Sequence, residues 1–88
     1  MQPVSESQNY KNITSTTIIF TGPCGLLGIW VSSASNTPTL KVQDGSATVA
    51  NTFTPVAPNF YVLPFKCATS LVVIISGTVD CTVAWMQP

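Results

Sequence analysis

Apolar and polar residues alternate along much of this chain with a period of two, the spacing of a β-strand whose side chains point to opposite faces. The clearest case is Leu40-Lys-Val-Gln-Asp-Gly-Ser-Ala-Thr-Val49, two short alternating runs around Asp44-Gly45. Leu40 and Val42 fall on one face, Lys41 and Gln43 on the other. Asp-Gly between such runs predicts a tight β-hairpin, because the turn needs a positive φ that glycine adopts at little cost. Strands are expected near 39–43 and 47–53. In the second of these Val49, Asn51 and Phe53 share a face, and the polar Asn51 marks that face as weakly buried.

The β-branched and aromatic run over 16–21 predicts another strand, and Gly22-Pro-Cys-Gly25 is turn chemistry. Residues 26–33 follow as a strand, with Leu27, Ile29 and Val31 on one face and Leu26, Gly28 and Trp30 on the other. Gly28 in mid-strand predicts a bulge or the close approach of another segment. Residues 33–38 read as a loop. Pro55 and Pro58 bracket a stiff crossing over 54–59. Extended structure resumes over 60–65, where Pro64 cannot donate to a ladder and so marks an edge or a bulge. Residues 70–76 are apolar on both parities, the mark of a strand buried on both faces. A turn at Ser76-Gly-Thr78 leads to the last strand, with Cys81, Val83 and Trp85 on one face and Thr82, Ala84 and Met86 opposite.

No segment sustains a helical period, and there is no internal repeat. About seven strands with turn signals between them predict an all-β fold, a single small β-sandwich or jelly-roll-like barrel over 15–88. The polar residues 1–14 read as an extended N-terminal arm whose end Tyr10 and Ile13 anchor. Such an arm is either a frayed terminus or a segment that orders on a neighbouring subunit.

Composition sharpens this picture. At 88 residues the chain is one domain. A chain of this size buries only about 60–65% of its unfolded surface, so disulfides, metals or oligomerisation commonly add stability. Charged residues are 7% of the chain and the net charge is zero, against about 25% charged in an ordinary soluble domain. Two readings follow. Either the 21 Ser and Thr residues solvate the surface, or much of that surface is covered in an assembly; near-zero net charge favours association, and the second reading is the expectation. Arg and His are absent, so there is no basic footprint for nucleic acid. The longest apolar run, Leu71-Val-Val-Ile-Ile75, is far short of the roughly 20 residues of a membrane-spanning helix. The polar first residues are unlike a signal peptide, so synthesis in a cytoplasm without a leader is expected.

Candidate chemistry is sparse. General acid–base catalysis needs a positioned titratable group, and the only carboxylates are Glu6 in the arm, Asp44 in a turn and Asp80 beside one. Cys24, Cys67 and Cys81 form no metal-like pair, and no His is present to complete a zinc set or to generate a thiolate. They read as buried free thiols, the alternative being one intrachain bridge with one thiol left over. No enzyme activity, cofactor or metal is expected. Surface contact remains, and the candidates for it are Tyr10, Ile13, Trp30, Phe60, Tyr61 and Trp85, because aromatic residues are enriched at interface cores. Trp30 is placed first in the core near a sheet edge, with an exposed contact as the alternative.

The segments Gly25-Leu-Leu-Gly-Ile-Trp-Val-Ser-Ser33, Thr39-Leu-Lys-Val-Gln-Asp-Gly45 and Val49-Ala-Asn-Thr-Phe-Thr-Pro55 occur in this order. Tyr61-Val-Leu-Pro-Phe65 and Ser76-Gly-Thr-Val-Asp-Cys-Thr-Val83 follow them. This succession resembles a group of small tailed-bacteriophage virion proteins over about residues 15–86, as a pattern of strands and turns; the cysteines and the arm lie outside it. The resemblance implies a β-sandwich structural protein of the particle, and above all a capsid decoration, or cement, protein. Such a protein sits on the outer surface of the head, often as a homotrimer, and has the major capsid protein as its partner. The alternatives are a neck, tail or fibre-base component of the virion, or a carbohydrate-binding module for the host surface.

Overall fold

The computed structural model describes residues 8–87 of the chain. Seven strands account for the ordered backbone: β1 (Gln8–Ile13), β2 (Thr17–Thr21), β3 (Cys24–Asp44), β4 (Ala47–Phe53), β5 (Asn59–Val62), β6 (Lys66–Cys67) and β7 (Ser70–Met86). They join in one antiparallel sheet. The all-β expectation therefore holds, but the strands are partitioned differently. The loop expected at 33–38 and the turn expected at 76–78 are not breaks; each lies inside a long strand, β3 or β7. Two further strands, β1 and β6, restore the number to seven.

The two long strands run side by side from Gly25↔Met86 to Asp44↔Leu71 and form the spine of the domain. Shorter strands flank them in two sets. β1 lies beside the C-terminal half of β7, and β5 and β6 lie beside the N-terminal half of β3. Further along the spine, β2 pairs with the start of β7 and β4 with the end of β3. Each half of the spine is thus the centre of one layer, and one buried cluster draws on both: Leu26, Ile29, Val31, Val79 and Val83 from the first, Ile19, Leu40, Val42, Leu71 and Val73 from the second. The molecule is only 16 Å deep along its shortest axis, the proportion of two sheets about 10 Å apart. Each fully buried aliphatic side chain contributes about 1.5–3 kcal/mol to this core.

The bend between layers has a definite origin. Ser35 pairs with Thr78 and Thr39 with Ser76, so β3 carries more residues than β7 across this stretch. Asn36 and Thr37 take up the excess in the left-handed region, at φ 59° and 56°, opposite Gly77 at φ 77°. The Asn36 side chain closes the bend by donating to Thr78 Oγ1 at 2.9 Å. Two single-residue bulges in β3 also change which residues face inward, as one extra residue must. Leu26 pairs with Trp85 and Gly28 with Ala84, leaving Leu27 as the extra residue. Leu26 is therefore buried together with Ile29 and Val31, and Leu27 does not share their face as its spacing predicts. Val31 and Ser33 pair with Cys81 and Asp80, leaving Ser32 extra. In β7 the odd residues are the buried ones on either side of the bend, Leu71 and Val73 before it and Val79, Cys81, Val83 and Trp85 after it, while Gly77 at the bend is exposed. Val72 and Ile74 are half-buried, so this strand is fully buried on one face rather than two.

The Asp44-Gly45 hairpin is present, with Gly45 at φ 62° and the pairs Gln43↔Thr48 and Asp44↔Ala47. Asp44 does more than form the turn. Its carboxylate accepts the backbone N–H groups of Ala68 (2.9 Å), Thr69 (2.8 Å) and Ser70 (3.1 Å). These bonds, that from Ala68 foremost, hold its pKa below the ordinary carboxylate value. A depressed folded-state pKa contributes stability that is present above the unfolded-state value and is lost as pH falls through the folded-state value. Asp44→Asn is therefore expected to lower the melting temperature at pH 7 and to flatten its fall on acidification below about pH 4. Thermal melts of both proteins across this range check it; parallel acid limbs would show that the carboxylate clamp contributes nothing.

The expected arm divides. Residues 1–7 lie outside the described residues, whereas Gln8–Ile13 is β1, in register with β7 from Gln8↔Met86 to Ile13↔Cys81. Asn12 locks this edge: its Nδ2 donates to Asp80 Oδ1 at 2.8 Å and to the Cys81 carbonyl at 2.9 Å. The sheet thus begins well before residue 15. Pro64 sits where β5 ends, at the centre of a three-residue turn in which Phe65 N–H donates to the Leu63 carbonyl at 2.9 Å. Its fixed φ and missing N–H suit that position.

Candidate interaction face

The outer surface of the layer β5–β3–β7–β1 can be read as rows across the strands. Register pairs set one row as Phe60, Trp30, Thr82 and Asn12, and the next as Val62, Gly28, Ala84 and Tyr10. Met86 follows on β7, opposite Gly25. None of these residues is charged. Tyr10 is 80% exposed, Val62 68%, Phe60 50% and Trp30 43%, with Met86 also exposed. In most sheets an outer face of this kind alternates into polar residues. Here large apolar or aromatic side chains recur on all four strands, and contiguous exposed apolar area on a small domain marks an interaction surface.

Gly28 shapes this face. A Cβ built there would meet the Phe60 ring and, at 2.6 Å, the Tyr61 carbonyl oxygen. The glycine lets Phe60 lie down across β3, beside Trp30, instead of projecting freely. The close approach expected at Gly28 is thus present, together with the adjacent bulge. Small residues, Gly28 and Ala84, occupy the middle of their row, while Val62 and Tyr10 stand at its two ends.

Of the six candidate contact residues, Tyr10, Trp30 and Phe60 come together on this face. Trp30 is outward and exposed, a correction to its placement in the core. The other three are less accessible. Ile13 is buried beneath β7, where Cys81 Sγ donates to its carbonyl at 3.8 Å. Trp85 has the inward parity of Val83 and is only 8% exposed, and its buried Nε1 has no hydrogen-bond partner among the described residues. Tyr61 is half-buried: its ring packs on Phe53 with centroids 5.2 Å apart, and its hydroxyl accepts the Val56 N–H at 2.7 Å. That tie pins the 54–59 crossing to β5. Val62 and Met86 belong to the face but were not among the candidates; their signal was parity, Val62 two residues beyond Phe60 and Met86 two beyond Ala84.

Among the described residues no three His, Cys, Asp or Glu side chains gather as a metal-binding group. All three cysteines are buried free thiols. Burial raises the pKa of Cys24, and pushes Cys67 and Cys81 up to about 11 each. Thiolate is scarce at neutral pH in such positions, which opposes nucleophilic chemistry. A shallow surface pocket of about 340 Å³ is lined by Pro23, Cys24, Gly25, Lys66, Met86 and Gln87, at the end of the aromatic face.

Fold and face together define the class: a small all-β sandwich domain with an exposed, uncharged aromatic sheet face. The chain matches no protein-family model, and neither a curated protein nor a solved structure is detectably similar to it.

Proposed function

We propose that this chain is a structural protein of a virus particle, and specifically a decoration protein of a tailed-bacteriophage head. The observation that carries the reading is the exposed row system of Tyr10, Trp30, Phe60, Val62 and Met86. A chain with 7% charged residues gains little solubility from such a face, whereas burial against a lattice removes it from water. The resemblance in strand and turn order points to the same class. On this reading the chain is made in the host cytoplasm and binds the major capsid protein of the assembled shell through the aromatic face, as a homo-oligomer for which a trimer is the favoured state. Binding of many copies to the folded shell stabilises it by mass action. Neither nucleic acid nor membrane takes part, and no catalytic step is involved.

Copy number tests this directly. Quantitative mass spectrometry of purified particles is expected to give a ratio to the major capsid protein near one to one or one to three. A few copies per hundred would move the chain to the neck, tail or fibre base. Absence from particles would overturn both virion readings.

One observation favours a second reading. Trp30 and Phe60 are cross-strand neighbours with exposed rings, and flat aromatic surfaces of this kind also stack on sugar rings. A host-surface carbohydrate module would give specific hits on a glycan array at equal protein concentration; the decoration reading expects none.

A further inference from the structure

Cys24 and Cys67 stand directly opposite one another in the antiparallel pair of β3 and β6. Opposed residues in such a pair hold their Cα atoms roughly 4.5–5.5 Å apart, within the range of about 4.4–6.8 Å that a disulfide spans. Both side chains are buried in the same inner cluster, at 5% and 0% exposure, so they leave the strands on one face. Cys81 is on β7, paired in register with Ile13 and Val31, and is not opposite either of them. Cys24 also lines the surface pocket beside Lys66 and Met86, which gives a small molecule a route to one of the two sulfurs.

From this geometry we infer that Cys24 and Cys67 form a latent disulfide site, closed by exchange with a small-molecule disulfide and leaving Cys81 as a thiol. The Cys24 thiolate attacks one sulfur of the small disulfide. That S–S bond breaks, one thiolate leaves with its electron pair, and Cys24 is held as a mixed disulfide. The Cys67 thiolate then attacks the Cys24 sulfur and expels the second small thiolate. Two protons pass from the cysteines to the two released thiolates, and two electrons pass from the cysteines to the small disulfide, which is thereby reduced to two thiols. In a reducing compartment the pair stays open; in an oxidising one it closes. The bond would tie β6, a strand of two residues, to the start of β3 and close the long loop between them.

The full chain, first reduced, is incubated with oxidised glutathione at pH 9, where thiolate is more populated, and then alkylated in denaturant. The expected result is a fall from three free thiols to one and an intact mass, measured before alkylation, lower by two hydrogens. Peptide mapping should join Cys24 to Cys67 and find Cys81 alkylated. The melting temperature should rise by roughly 10 °C. Three thiols retained, a linkage that includes Cys81, or glutathione left attached to Cys24 would each overturn the inference. Because these readouts use the unmutated protein, none depends on a variant that has to fold.

Discussion

Gly77→Ala is expected to lower the stability of the domain by about 2–4 kcal/mol, seen as a fall of roughly 10–30 °C in melting temperature. Two effects act together. At φ 77° the backbone of residue 77 is in the left-handed region, which an L side chain adopts only under strain. A Cβ there would also lie 2.6 Å from the Asn36 carbonyl oxygen, 2.8 Å from that of Thr37 and 2.9 Å from Pro38 Cα. All three are backbone atoms, so no side chain can swing away. Relief requires moving the double bulge of β3, whose own residues already hold left-handed φ values. Gly25→Ala is the matched control: its Cβ would have no neighbour within 4 Å, and its melting temperature should stay within a few degrees of the parent. A Gly77→Ala protein melting within that same margin would show that the bend is soft and does not set the relation of the two layers.

The second large effect concerns binding. Trp30→Ala and Phe60→Ala are each expected to reduce occupancy on purified capsids by roughly 30-fold or more, as truncation of an aromatic hot spot does. Both side chains are about half exposed on the outer face, so the fold should survive their loss, and circular dichroism and thermal melts monitor this. Ile18→Ser provides the comparison. Ile18 is 62% exposed but belongs to β2 in the other layer, and its loss should leave occupancy unchanged. Equal losses for all three variants would mean that general stickiness, not this face, drives binding. Unchanged occupancy for Trp30→Ala and Phe60→Ala would remove the face from the proposed function while leaving the fold intact.

Much of this architecture is legible in residue order. The alternation over 39–53 and the glycine at 45 are local properties, and the hairpin they predict is present. The parity of β7 is legible for the same reason: with no bulge, Cys81, Val83 and Trp85 keep the inward face that simple alternation assigns them. Simple alternation fails where a bulge changes the count. One extra residue at Leu27 moves Leu26 into the core, and no local signal except Gly28 marks it. Similarly, Ser-, Thr- and Asn-rich residues 33–38 have the composition of a loop, but their partner across the sheet turns them into the bend of a continuous strand.

The candidate contacts divide along the same line. Tyr10, Trp30 and Phe60 belong to strands whose sequences allow either face to be buried, and Trp85 has the same chemistry as Trp30. By itself the sequence determined that the chain is all-β, that it is nearly uncharged, and that Asp44-Gly45 turns a hairpin; these follow from period, composition and the φ freedom of glycine. Only the tertiary structure decided which aromatics face outward, that Gln8–Ile13 joins the sheet, and that Cys24 lies opposite Cys67. Those outcomes depend on register between strands far apart in sequence, and register is set by the shared burial of both layers and not by any one segment.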